Sequence, residues 1–116
     1  MKMQIEVCKS KIAHAIITEA ELFYEGSITV DEKLMKAVDL FSGEKVHVLN
    51  LNNGTRFETY VIPGKPGQIC LNGPAARLGI IGDQITILSY ALIDAKEAIN
   101  FKMKIIHLDD KNKIKN

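Results

Sequence analysis

The residue in this chain with the most chemistry in prospect is Ser27, which follows Gly26 in the stretch Tyr24-Glu25-Gly26-Ser27. A Gly-Ser pair reads first as a tight turn, because glycine accepts positive φ at little steric cost and serine lines turns. It also reads as a bond that can break. The serine hydroxyl can attack the preceding carbonyl, turn the amide into an ester and, after β-elimination, leave a pyruvoyl group at position 27. Further along, an extended run from Arg56 to Ile62 points Arg56, Glu58 and Tyr60 one way and Phe57, Thr59 and Val61 the other. A guanidinium holds a carboxylate bidentately, and a phenol is both hydrogen-bond donor and acid. Taken alone, the same run is a strand with one polar face and a core-facing Phe57. Lys11 alone is a solvated lysine, and Asn72-Gly73-Pro74 alone is a turn with proline opening a short helix.

Other chemistries find little support. The two cysteines, Cys8 and Cys70, fit neither a disulfide framework nor a zinc site, and each reads as a small buried hydrophobe. His47 and His107 fall in strand patterns without ligands at metal spacing. A formal charge of +1 supplies no basic stripe for nucleic acid. Lys111, Lys113 and Lys115 alternate with asparagine and isoleucine after Asp109-Asp110, as a solvated terminus does. No apolar run nears the ~20 residues of a membrane span, and the first residues lack a signal-peptide pattern, so a cytoplasmic compartment is expected.

These residues must be positioned by a chain of 116, the size of one domain with a real core. Met3, Ile5 and Val7 alternate with polar residues as a half-buried strand does. Charge at Cys8-Lys9-Ser10-Lys11 breaks the pattern, which resumes from Ile12 to Thr18. A helix is expected over Asp31 to Leu40, capped by Asp31, with Leu34, Ala37, Val38 and Phe41 on one face and Gly43 as its stop. Lys45 to Leu51 reads as a strand with Val46, Val48 and Asn50 on one side. Asn52-Asn53-Gly54 predicts a type I′ hairpin, with both central residues at positive φ, returning into Arg56 to Ile62. After a Pro-Gly loop, Gln68 to Asn72 predicts a short strand. Gly82-Asp83 turns into the apolar run Ile85 to Ile93, Asp94 to Ala98 predicts a helical turn, and Lys102 to Leu108 a last strand.

Together, Gly26-Ser27, Lys11, Arg56-Phe57-Glu58-Thr59-Tyr60 and Asn72-Gly73-Pro74-Ala75-Ala76 resemble the pyruvoyl-dependent aspartate 1-decarboxylases in order and spacing over nearly the whole chain. The Gly82-Asp83 turn resembles the "GD box" of double-psi β-barrels. The resemblance implies a mainly β fold, a small six-stranded double-psi β-barrel with a few short helices, in one domain over residues 1–116. It implies self-cleavage at Gly26-Ser27 into residues 1–26 and 27–116, with a pyruvoyl group made from Ser27 and neither metal nor pyridoxal phosphate. L-aspartate would condense with that ketone, lose CO2 and leave as β-alanine, a precursor for pantothenate and coenzyme A. By the same resemblance Tyr60 is the proton donor, and Lys11 and Arg56 hold carboxylate. Thr59, Asn72, Gly73, Pro74 and Ala75 form the substrate pocket, while Tyr24 and Glu25 hold the cleavage loop. A homotetramer with sites between protomers is implied, with no nucleic acid or membrane as partner. The chain departs from the family at Ala13, where a histidine is usual, and at Pro74, where alanine is common; proline removes a backbone donor there. A non-catalytic double-psi barrel serving binding or assembly is the alternative, and it leaves Gly26-Ser27, Lys11, Arg56 and Tyr60 as coincidences.

Overall fold

The structure, a computed structural model, describes residues 2–115; the terminal residues of the expected domain, Met1 and Asn116, lie outside the described residues. The fold is mainly β. Its strands are β1 (Gln4–Ile16), β2 (Glu19–Glu21), β3 (Ser27–Asp31), β4 (Lys45–Asn50), β5 (Arg56–Gly64), β6 (Ile69–Asn72), β7 (Gln84–Asp94), β8 (Lys104–Leu108) and β9 (Ile114–Lys115). Two short α-helices, α1 (Glu32–Ala37) and α2 (Ala95–Ala98), and a 3-10 turn at Gly73–Arg77 complete it. The strands pair in the order β2-β6-β3-β5-β4-β7-β1-β8-β9. Beyond β1, Thr18 donates its backbone N–H to the Ile69 carbonyl at 2.8 Å, and Ile69 N–H returns a bond to Thr18 Oγ1 at 2.9 Å. These bonds tie the far side of the sheet back to β6. The apolar core comes from β1 and β3 to β7, the segments beside them, and Leu108 of β8. Six strands thus carry nearly all the strand-borne core, with β2, β8 and β9 at the margins.

Alternation explains the site's geometry. On β3 and β6, Ile28, Val30, Ile69 and Leu71 are fully buried in the core. The residues between them, Ser27, Thr29, Cys70 and Asn72, therefore face the other side. On β4, Val46, Val48 and Asn50 are buried as their alternation predicts.

Several expectations need correction. Charge at Cys8 to Lys11 does not interrupt β1, which runs continuously and absorbs the irregularity as register shifts between Cys8 and Ser10 and between Ile12 and Ala15. An extra residue in one strand bends the ladder without ending it. There Lys9 pairs with Glu44 at 3.2 Å. The expected helix to Leu40 stops at Ala37: Asp31 caps it by accepting from Lys33 N–H, but Asp39 turns to φ 57° and reverses the chain before Gly43. Phe41 consequently lies off the buried stripe, 70% exposed, with the Lys9 ammonium 5.6 Å from its ring centre. The β4–β5 hairpin forms, but not as type I′, because Gly54 has positive φ (76°) and Asn53 does not. Asn50 Oδ1 accepts from Asn52 N–H at 2.8 Å, and the Asn50 carbonyl accepts from Gly54 N–H at 2.9 Å. A side chain bonding its own following backbone competes with the tighter two-residue turn.

The Gly82-Asp83 turn fastens two strand ends. Gly82 N–H donates to the Ile17 carbonyl, and Ile17 N–H donates to that of Asp83. Asn50 Nδ2 at 2.9 Å and Ile80 N–H at 3.0 Å both donate to the Asp83 carboxylate and hold it below the usual carboxylate range. A carboxyl depressed on folding stabilises the fold fully above its unfolded value of about 4, and the contribution is lost as pH falls through the folded value. Asp83→Asn should therefore lower the melting temperature at neutral pH and shallow its decline below about pH 4. Melting curves against pH test this, and an unaltered acid decline in the variant would remove Asp83 from the linkage.

Candidate active site

Ser27 opens β3 and is 1% exposed. β6 runs antiparallel beside it in the register Ser27↔Asn72 and Thr29↔Cys70, so strand pairing alone places all four on one face. Asn72 Nδ2 donates to Ser27 Oγ and to Thr29 Oγ1, each at 2.9 Å. The Ser27 hydroxyl donates to the Glu25 carbonyl at 3.2 Å. Cys70 Sγ lies 3.2 Å from Asn72 Oδ1. Burial, reinforced by the charges of Glu19 and Glu21 on β2, raises the Cys70 thiol above its ordinary value, so it stays protonated.

The 3-10 turn after β6 presses against the Gly26-Ser27 segment. Gly73 has φ +64°, and a Cβ there would lie 2.7 Å from the Tyr24 carbonyl oxygen and 2.9 Å from Gly26 N and Cα. Only glycine lets the two backbones approach so closely. Gly26 differs. It avoids the left-handed region, and a Cβ on it would meet only Pro74 Cδ, at an ordinary 3.5 Å. Turn sterics therefore do not account for glycine at 26. Pro74 packs its ring on this residue, and Ala75 is buried behind it. Tyr24 is exposed, and the loop is held by its backbone, through the Glu25 carbonyl and the contact at Gly73.

β5 lies on the other side of β3, parallel, in the register Ile28↔Val61. Continued back by one residue, that register sets Ser27 level with Tyr60. Tyr60 is 38% exposed, and its hydroxyl has no hydrogen-bond partner among the described residues. Thr59 is half-buried on the other face of β5, opposite Val46. Arg56 stands four residues before Tyr60 at the exposed hairpin end of the strand. Its neighbour on that face, Glu58, is committed to Lys45 at 3.1 Å, whose hydrogen bond and charge hold the carboxyl low, and to His47 at 3.6 Å. Lys11 pairs with Leu88 of β7 and Ile105 of β8. Three strands, β5, β4 and β7, separate β1 from β3 in the sheet order. Neither Arg56 nor Lys11 forms an ion pair among the described residues. The chain thus gathers Gly26, Ser27, Asn72, Gly73 and Pro74, and carries Tyr60 on the strand beside them. It leaves Lys11 beyond three intervening strands in the sheet order and Arg56 at the hairpin end of β5.

Ser27 is thus a buried hydroxyl with an amide donor on its oxygen and a tyrosine on the neighbouring strand. The family model described as aspartate decarboxylase matches residues 3–115. The aspartate 1-decarboxylase of Caldicellulosiruptor bescii is 57% identical over 97% of this chain and 89% of its own length. The chain belongs to the aspartate decarboxylase family. The aspartate 1-decarboxylases of Thermoanaerobacter pseudethanolicus (54% identical, 96% of this chain, 97% of the relative) and Campylobacter fetus (55%, 97% and 98%) agree. Among solved structures, the rationally designed mkDPBB_sym_86 protein overlaps with a TM-score of 0.47 at 15% identity, over 65% of this chain and 90% of that one.

Two residues in this aspartate decarboxylase family chain touch the site without having been marked by its sequence. Thr29 sits in the apolar run Ile28-Thr29-Val30, and Cys70 was read as a buried hydrophobe. The signal available was strand period: Ser27 and Thr29 are two apart, as are Cys70 and Asn72. Residue His14, one position past the family's usual histidine, takes φ 66° and faces the His107 ring at 5.9 Å, on the β1–β8 side of the sheet. Among the described residues, no three His, Cys, Asp or Glu side chains gather as a metal site, and no helix is long and apolar enough to cross a membrane.

Proposed function

We propose that this chain is a self-processing, pyruvoyl-dependent aspartate 1-decarboxylase that converts L-aspartate to β-alanine and CO2 for pantothenate synthesis in the cytoplasm. The observation that carries this reading is the buried Ser27 hydroxyl, held by Asn72 beside the Gly26-Ser27 peptide in a member of this family. In maturation Ser27 Oγ forms a bond to the Gly26 carbonyl carbon, and the C–N bond breaks to leave an ester and a free amine. Elimination across Cα–Cβ then expels Gly26 as a carboxylate with Oγ, and water replaces the nitrogen, which departs as ammonia. Asn72 Nδ2 donates to the oxygen as its proton leaves, and the tightly seated loop limits the motion needed for attack.

The residues present fit a pyruvoyl group at position 27, since the position is dry and the departing Oγ vacates an Asn72 N–H for substrate. Once formed, that group supplies a ketone to take the substrate's amine and an electron sink for the charge left by CO2. Tyr60, one residue before the paired Val61 on the strand beside β3, returns a proton to the α-carbon. Gly73 and Ala75 keep side-chain bulk out of the pocket, and Pro74 shapes its wall. Arg56 and Lys11, both without carboxylate partners among the described residues, bind substrate carboxylate. Because one chain does not bring them to Ser27, they reach the substrate from a neighbouring protomer of a homotetramer, with Thr59 lining the pocket edge.

Mass spectrometry tests both parts. Denatured wild-type protein should give fragments 1–26 and 27–116, and native spectra should give a tetramer. A single intact chain under all maturation conditions sinks the self-cleavage reading, and a native monomer with full activity sinks the shared site.

A further inference from the structure

The polar side chains around Ser27 pose a question of orientation. Asn72 is 3% exposed, so no bulk water helps decide which way its amide turns. Its two partners on one side are the hydroxyls of Ser27 and Thr29. A free hydroxyl donates or accepts, but the Ser27 proton goes to the Glu25 carbonyl at 3.2 Å, which leaves Ser27 Oγ to accept from the amide nitrogen, whereas Thr29 favours neither end. Cys70 selects as well. It is itself 3% exposed, two residues from Asn72 on the same strand face, with Sγ 3.2 Å from Asn72 Oδ1. A thiol is weak both as donor and as acceptor, but its S–H needs an acceptor. Asn72 Oδ1 at 3.2 Å is nearer than the Leu71 carbonyl at 3.8 Å, so an oxygen is favoured in front of it.

We propose that Cys70 is a positioning residue for maturation: its S–H, donated to Asn72 Oδ1, holds the amide with Nδ2 directed at Ser27 Oγ. The inference rests on the self-cleavage reading above. With the amide reversed, Asn72 would present an oxygen to Ser27. The hydroxyl proton would then turn from the Glu25 carbonyl to that oxygen, and the Oγ charge developing during attack would face a like partial charge. Held as observed, the amide donates to Oγ as its proton leaves and favours the attacking form. The raised thiol follows from the same burial and from Glu19 and Glu21 alongside, which keep the donor proton in place at neutral pH.

Cys70→Ser and Cys70→Ala decide the matter, because the two replacements have nearly equal volume and differ in a donor. Two quantities are read: the rate at which the intact chain becomes two fragments, and the solvent exchange of the Asn72 side-chain amide in 15N-labelled protein. The amide signal is assigned by its absence in Asn72→Asp. Cys70→Ser should stay within about threefold of wild type in both, whereas Cys70→Ala should cleave roughly tenfold more slowly and exchange roughly tenfold faster, about the effect of one lost hydrogen bond. Equal behaviour of the two variants overturns the proposal. Should Cys70→Ala fail to fold, Cys70→Thr and Cys70→Val make the same comparison at matched, larger volume. If wild-type protein itself never cleaves, the self-cleavage reading falls, and the exchange rates alone still decide whether the thiol orients the amide.

Discussion

Ser27→Ala protein should remain one intact chain of residues 1–116 and turn over no aspartate above the uncatalysed background, a loss of roughly a millionfold or more. The size of the effect follows from removing the source of the ketone rather than weakening a contact. Alanine has no oxygen to attack Gly26, and no other side chain here supplies a carbonyl able to take an amine. The variant should still fold. Its β3 backbone pairing is untouched, and Asn72 Nδ2 keeps Thr29 Oγ1 at 2.9 Å. Losing the two neutral hydrogen bonds of Ser27, to the Glu25 carbonyl and from Asn72, costs about 1–3 kcal/mol, a minor part of the ~5–15 kcal/mol that holds a domain together. Denatured mass spectrometry and β-alanine formation measure the two outcomes on one preparation. An uncut Ser27→Ala chain that still decarboxylates aspartate would remove the pyruvoyl assignment altogether.

Tyr60→Phe should separate maturation from turnover. The ring remains on the exposed face of β5, and the lost hydroxyl had no hydrogen-bond partner among the described residues, so the fold loses nothing that the structure shows. Cleavage at Gly26-Ser27 should proceed, since Ser27 is held by Asn72 and by the loop seated against Gly73. Turnover should fall by about 10²–10⁴, the usual worth of a positioned general acid. Aspartate affinity should change little, because Lys11 and Arg56, the proposed carboxylate binders, are untouched. Pre-cleaved variant protein assayed for kcat and KM reports this directly, and a wild-type kcat would exclude Tyr60 as the proton donor.

Period-two alternation told correctly which residues of β4 enter the core, and that Arg56, Glu58 and Tyr60 share a face. Asp31 as a helix cap and proline at the start of the turn after Asn72 were equally legible, because capping and proline geometry act within a few residues. Errors gathered where a distant partner outweighed the local pattern. Lys9 found Glu44, so charge in β1 was neutralised across the sheet instead of ending the strand. The chain turned at Asp39, and Phe41 left the helix stripe. Asn53 stayed out of positive φ because the Asn50 side chain bonds the turn from within.

By itself, the amino-acid sequence determined the family and the mainly β character, since these depend on residue type and short-range period, and it singled out Gly26-Ser27 as the pair on which the proposed chemistry rests. Only the tertiary structure decided what surrounds Ser27. Asn72 is 45 residues away in the chain, and Gly73 touches the Gly26 backbone only because β3 and β6 pair in one register. The alternation of Ile28, Val30, Ile69 and Leu71 forbids a one-residue slip that would turn Ser27 and Asn72 to opposite faces, but it does not say that these two strands lie side by side. Sheet order likewise separates Lys11 from Ser27 within one chain, a separation that no reading of residue types can foresee because it is set by which strands pair.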